Sequence, residues 1–257
     1  MKIPENIGSF LQKYFDKIFV ITLDRAKDRQ ESTRKYLDGI AFDFFLGADK
    51  LQMDLPTVIK EGIYDEGKAK QMNRHGKKMI LGHIACSLSH RNLYEHIIKS
   101  NYQRVLIFED DVIPVHQSLK DIVASLKQLP EDWELVYLGY NKHEFITPKL
   151  KRKQAFYGIQ SRLGLLKWNT VMVENMFPKP FSSHLRTAGF HDCTHAYAVS
   201  QEGAKKLLEF QTPIAFNADD LLSDTVMKGH LNAFITVPKF FDQEQFTNPA
   251  QHSFIHH

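Results

Sequence analysis

The stretch "VLIFEDDVI", residues 105–113, decides the fold. Four apolar residues, Val105 to Phe108, run straight into three carboxylates, Glu109, Asp110 and Asp111. A short branched apolar run closed by polar residues is the pattern of a strand buried on both faces. Three adjacent acids at its end repel one another, so the chain must have a use for them. In an open α/β sheet, ligands collect at the carboxyl ends of the strands. The acids therefore stand where a binding site belongs. Hard cations such as Mg²⁺ and Mn²⁺ take oxygen ligands, bridge to diphosphate, and relieve the repulsion. An acidic turn facing water is the plain alternative.

Working outward, strand-like and helix-like segments alternate. "KIFVITL" (17–23), "FDFFLGAD", "RVLIFE", "WELVYLG", "CTHAYAVS" and "LNAFITV" have strand character. "DRAKDRQESTRKYLDG", "SLKDIVASLKQL", "QEGAKKLLEF" and "DDLLSDTVMKG" have helix character, with Gly39 and Gly229 as stops and Ser200 as a cap. "MILGHIACSLSHRNLYEHIIKS" is long enough for one helix but has two apolar sides. Leu81, Ile84, Ala85 and Leu88 share one, and Leu93, Tyr94, Ile97 and Ile98 the other, so its two ends should be buried on different sides. Residues 49–78 read as a long loop with one short helix, and 141–190 as an irregular insertion. "WELVYLG" should close at Gly139. This alternation predicts an α/β fold, one domain over residues 1–257 with an insertion at about 141–190.

The 257 residues are 43% hydrophobic with a net charge of +3, enough for one large core and too balanced to point to nucleic acid. The basic cluster Lys149 to Lys153 reads as a solvated loop, with a phosphate-bearing or peripheral membrane partner as the alternative. Cys86 and Cys193 have no metal-like spacing, which fits a reducing compartment. With no apolar run long enough for a signal peptide or a membrane span, a cytoplasmic location is expected, at most at the inner face of a membrane. No GxxxxGK[ST] or G-x-G-x-x-G phosphate loop occurs, which weighs against a nucleotidyltransferase or phosphotransferase.

Taken together and in order, "FVITLDRAKDR", "GHIACSLSHRNLYEHI", "LIFEDDV", "WELVYLG", "THAYAVSQEGAKKLL" and "DDLL" resemble glycosyltransferase family 25, the family of bacterial lipooligosaccharide and collagen galactosyltransferases. The resemblance runs from about residue 17 to residue 255. It implies a glycosyltransferase A-type fold, a Rossmann-like mixed sheet flanked by helices. It also implies a UDP-hexose donor, most simply UDP-galactose, a glycan acceptor, Mn²⁺ or Mg²⁺ at a DxD-like motif, and inversion at the anomeric carbon. On this resemblance Asp111 is the best metal ligand, with Asp110 beside it. Asp110 or Glu109 faces the ribose or the donor sugar. Thr22, Leu23, Asp24 and Arg25 line the base and ribose, and Arg25 and Arg29 balance the diphosphate. Gly82, Cys86, Ser89 and His90 match a family motif, with His83 where Glu is more usual; Ser89 and His90 are placed on the donor.

Inversion requires a general base at the acceptor hydroxyl. The candidates are Asp219 and Asp220; helix capping by Asp219 is the structural alternative. His195 and the insertion at about 141–190 are assigned to the acceptor side. His252, in the tail, is a further candidate for the metal. A non-catalytic nucleotide-sugar-binding protein remains the competing class.

Overall fold

The structure is a computed structural model and describes residues 3–244 apart from positions 74 and 117. Its helices are α1 (Glu5–Tyr14), α2 (Lys27–Tyr36), α3 (Leu55–Lys60), α4 (Glu66–Met72), α5 (Leu81–Lys99), α6 (Leu119–Lys127), α7 (Pro148–Arg162), α8 (Thr170–Glu174), α9 (Gln201–Phe210) and α10 (Ala218–Met227). Its strands are β1 (Lys17–Thr22), β2 (Asp43–Leu46), β3 (Arg104–Glu109), β4 (Val112–Pro114), β5 (Leu135–Asn141), β6 (Lys179–Pro180), β7 (Leu185–Thr187), β8 (Asp192–Ser200), β9 (Ala233–Thr236) and β10 (Phe241–Gln243).

All ten strands join one sheet, whose main path is β2-β1-β3-β8-β5-β9-β7-β6, with β10 bridging β5 and β4. β1, β2, β3, β5, β6, β9 and β10 point one way; β4, β7 and β8 run against them. The carboxyl ends of β1, β3 and β5 therefore share an edge with the amino end of β8.

Period-two alternation sorts the core into two layers. Leu106 and Phe108 of β3 pack with Leu11 of α1, Leu37 beyond α2, and Ile122 and Leu126 of α6. Val105 and Ile107 pack on the opposite face with Leu93 and Ile97 of α5, Leu207 of α9 and Leu221 of α10. Burial on both faces is why the strand is apolar at every position from 105 to 108. Helix α5 is used on two sides as its sequence requires. Ile84 and Leu88 pack with Val58, Tyr64 and Ile214, whereas Leu93, Tyr94 and Ile97 pack on the sheet.

Three segments differ from the sequence expectation. Residues 49–78 hold a single 3-10 turn and two short helices, α3 and α4, where one helix was expected, and each is opened by an aspartate: Asp49, Asp54 and Asp65 accept a hydrogen bond from the backbone N–H two or three residues on, at 3.0, 3.0 and 2.8 Å. Residues 141–190 are not irregular. Thr147 caps α7 and Pro148 opens it. The β6–β7 hairpin then extends the sheet through pairing of β7 with β9. No residue of α7 is buried, so it lacks the core stripe that betrays a helix. Strand β5 does not stop at Gly139 but runs on to Asn141 with a shift of register there, and the position needs glycine because a Cβ at 139 would lie 2.4 Å from His195 Nε2 and 2.7 Å from the Phe241 carbonyl oxygen. Among the described residues no helix is long and apolar enough to cross a membrane.

Candidate active site

β3 ends at Glu109, and the two residues that turn the chain into β4 are Asp110 and Asp111. They form one wall of a cavity of about 170 Å³ at the carboxyl ends of β1 and β3. Thr22, Leu23, Arg25, Arg29, Ser89, His90 and Cys86 line the same cavity. The structure thus brings together the residues assigned to the donor, with one exception. Asp24 lies at the surface, paired with Lys27 at 2.8 Å, and is not among the lining residues.

The three acids have three different surroundings. Asp110 is 8% exposed and faces back toward β1 and α2. Its Oδ1 accepts from Arg29 Nη1 at 2.8 Å and its Oδ2 from Thr22 Oγ1 at 2.7 Å, while its carbonyl accepts from Thr33 Oγ1 at 2.8 Å. Burial pushes its carboxyl up and the Arg29 charge works against that. Glu109 turns toward α5 and β8. Its Oε1 accepts from Thr194 Oγ1 and meets His90 Nε2 at 3.3 Å; its Oε2 accepts from Gln243 Nε2 at 3.3 Å. Burial raises this carboxyl, but the contacts from His90 and Thr194 prevail and hold it below the ordinary range. Asp111 is the least satisfied. Among the described residues its carboxylate accepts only from Gln243 Nε2, at 3.4 and 3.5 Å. Burial first, then the negative charge of Glu109, pushes it up to about 7.

That contrast tests the fit of a divalent cation. Asp111 and the Oε2 side of Glu109 present oxygens with weak partners and excess negative charge, which suits a hard ion. Asp110 fits less well, because each of its oxygens already holds a short hydrogen bond. A second donor set is softer: ligand atoms of Cys86, His90 and Glu109 lie within 4.8 Å of one another. A thiol and an imidazole suit a Zn²⁺-like ion better than Mn²⁺. His252, His256 and His257 lie outside the described residues.

Several predicted side chains are held by the protein itself. Arg25 grips Asp49 through Nε and Nη2. Ser89 Oγ donates to the Ala85 carbonyl at 2.8 Å and accepts from the Ala48 N–H at 2.9 Å. His90 Nδ1 meets Tyr197 Oη at 2.8 Å, and Tyr197 meets Tyr94 Oη at 2.9 Å, which aims Nε2 at Glu109. His195, expected on the acceptor side, is fully buried between strands and lines no cavity described here. Its Nε2 is 3.3 Å from the Phe241 carbonyl, and burial pushes it down.

Asp219 and Asp220 open α10 and line a second cavity of about 370 Å³ with Lys142, Trp168, Phe190 and Asp192. Asp219 is not the cap; Asn217 holds that position, and its Nδ2 donates to Asp220 Oδ2 at 3.0 Å. Asp219 accepts from the backbone N–H groups of Cys193 at 3.3 Å and Asp220 at 2.9 Å. Burial raises both carboxyls. Asp220, beside Asp219 and Asp192, is pushed up to about 7, near the working range of a general base. The two acid clusters meet across two consecutive residues of β8: Cys193 binds Asp219 and Thr194 binds Glu109. Cys193, Lys142 and His143 all adopt left-handed backbone, at φ of 73°, 63° and 57°, so strain gathers beside this cavity.

The sequence reading missed Thr194, Gln243, Asp49 and Lys142. Thr194 carried a signal, as the polar residue opening an apolar strand. Gln243 carried none, since only the pairing of β10 with β4 and β5 brings it to the acids.

The family model described as Glycosyltransferase family 25 (LPS biosynthesis protein) matches residues 15–222. The chain belongs to glycosyltransferase family 25. Its mixed, largely co-directional sheet with helices on both faces is consistent with a glycosyltransferase A-type fold. A glycosyltransferase 25 family member from Anopheles gambiae is 28% identical over 200 residues, covering 76% of this chain and 28% of that protein. Procollagen galactosyltransferase 1-A from Xenopus laevis is 26% identical over 212 residues, covering 80% and 30%. Inactive glycosyltransferase 25 family member 3 from Homo sapiens is 28% identical over 222 residues, covering 82% and 30%. The chain thus spans less than a third of the length of these relatives.

Proposed function

We propose that this chain transfers a hexose, galactose, from a UDP-sugar to a hydroxyl of a glycan acceptor of the lipopolysaccharide or lipooligosaccharide type, with inversion and with Mn²⁺ or Mg²⁺ at the donor diphosphate. The observation that carries this reading is the cavity at the ends of β1 and β3, where the under-satisfied Asp111 shares a wall with Arg25 and Arg29. The family description and the names of the galactosyltransferase relatives support the donor and acceptor classes.

In this reading Thr22 and Leu23 bind base and ribose. Arg25 and Arg29 face the diphosphate, and Asp110 acts by holding Arg29 in place. Asp111 and Glu109 would hold the divalent ion, which when bound stabilises charge on the departing diphosphate. Asp220 takes the proton from the acceptor hydroxyl, and its raised carboxyl is matched to that task near neutral pH. Asp219, pinned by two backbone N–H groups, keeps Asp220 in a negative surrounding.

A panel of UDP-sugars, assayed for transfer and for donor hydrolysis with and without Mn²⁺, tests the proposal. UDP-galactose should turn over with Mn²⁺. Failure of every nucleotide sugar in both conditions would overturn it. The engagement of both Asp110 oxygens, with a relative named inactive, favours one other reading: a nucleotide-sugar-binding protein without turnover. Asp220→Asn separates the two. An enzyme loses transfer while UDP-sugar binding survives; a binding protein has no transfer to lose.

A further inference from the structure

Helix α7 has a surface that the candidate site does not use. Its inner side, with Leu150 and Tyr157, packs toward α8 and Trp168, and Ser161 Oγ donates to the Trp168 carbonyl at 2.8 Å. Its outer side holds Phe156, Ile159 and Leu163, which are 57%, 58% and 66% exposed, and Leu165 follows at 71%. Lys149, Lys151, Arg152, Lys153 and Arg162 are exposed on the same helix, which has no acidic residue. Among the described residues none of the five pairs with a carboxylate. At about 100° per residue, Arg152, Phe156, Ile159 and Leu163 fall within an arc of about 60° with Lys149 beside it, while Lys153 stands further round, its Nζ 5.4 Å from the centre of the Tyr157 ring.

Each half of this pattern has a simple occupant, but only one occupant takes both. Water accepts the cations and is a poor home for four large apolar side chains. A polyanion such as nucleic acid, or an acidic protein surface, would pair the cations and leave the apolar stripe wet. The interface of an anionic bilayer does both, because lipid phosphates meet the cations while their aliphatic stems and the apolar side chains sink to the level of the headgroups.

We propose that α7 docks in the plane of an anionic lipid bilayer, with Phe156, Ile159, Leu163 and Leu165 inserted and the five cations on lipid phosphates. A helix of 15 residues is about 22 Å long, so it lies along the surface and does not cross it. The docking itself does not rest on the proposed reaction and is measured without it.

The test is co-sedimentation of the full chain with vesicles of phosphatidylcholine alone or mixed equally with phosphatidylglycerol. The chain should bind the mixed vesicles and not the neutral ones. Lys149→Gln/Arg152→Gln/Lys153→Gln should weaken binding on the order of a hundredfold, at about fivefold per cation. Phe156→Ser/Leu163→Ser should weaken it at least tenfold with all charges kept. Circular dichroism spectra and urea-unfolding midpoints, unchanged in both variants, would exclude unfolding. Absence of vesicle binding by the unaltered chain would overturn the proposal. So would binding lost in the charge variant alone, which would leave a patch for soluble polyanions.

Discussion

Replacing Asp220 by Asn should make the protein more stable and less active, and the stability gain should depend on pH. The Asp220 carboxyl is pushed from 3.8 up to about 7 by burial, then by Asp219 and Asp192. A carboxyl raised in the folded state binds its proton more tightly there than in the unfolded chain. Stability from this group is therefore highest below about pH 4, falls as pH rises, and reaches its floor above about pH 7. The asparagine variant lacks that dependence and can still accept the hydrogen bond from Asn217. Between about pH 5 and pH 8.5 the unaltered protein loses two units' worth of proton binding relative to the variant, roughly 3 kcal/mol at 1.36 kcal/mol per unit. At about 2–4 °C per kcal/mol for a chain of this size, the difference in melting temperature should widen by at least about 6 °C in favour of the variant. Thermal unfolding followed by circular dichroism at the two pH values measures this. Transfer should fall about 10²- to 10⁴-fold in the same variant. A difference in melting temperature that does not change with pH, or a variant less stable than the parent at pH 8.5, would refute the reasoning.

Asp111→Asn should weaken UDP binding on the order of 100-fold in the presence of Mn²⁺ and leave metal-free binding unchanged, as titration calorimetry would read. Arg29→Ala strips the partner from Asp110, whose side chain is 9% exposed, and should cost about 3–5 kcal/mol in urea unfolding; adding Asp110→Asn should recover part of it. Gly139→Ala would set a Cβ 2.4 Å from His195 Nε2 and should cost about 1–3 kcal/mol in the same assay, with the slope against urea unchanged.

What could be read from the chain alone was what depends on local pattern. The apolar run before Glu109, the two-sided helix around Leu88 and Leu93, and the Ser200 cap all rest on spacing within a few residues, and each has the structural role its spacing demands. Helix α7 escaped because its outer face is as apolar as its inner one, and no stripe separates Phe156 from Leu150. Its Thr147-Pro148 opening was the available signal. His195 misled for the opposite reason: a polar residue in a strand suggests a site, yet Gly139 leaves just enough room to bury the imidazole within the sheet.

The division of labour among Glu109, Asp110 and Asp111 was beyond local reading because every partner comes from far along the chain. Asp110 is bound by Thr22 and Arg29, 88 and 81 residues upstream. Glu109 is bound by Thr194, 85 residues downstream, and Asp111 by Gln243, 132 residues downstream. The strand end and the turn aim the three carboxylates at different neighbours, which is how the chain tolerates their adjacency. Two are neutralised or hydrogen-bonded internally, and the repulsion left over falls on the third. The motif therefore marks the place of the site, and its neighbours assign the roles. The acid whose oxygens the protein satisfies least, Asp111, is the one with room for the cation proposed above, whereas Asp110, with both oxygens spent at 2.7 and 2.8 Å, would in that proposal serve a donor through the arginine it holds.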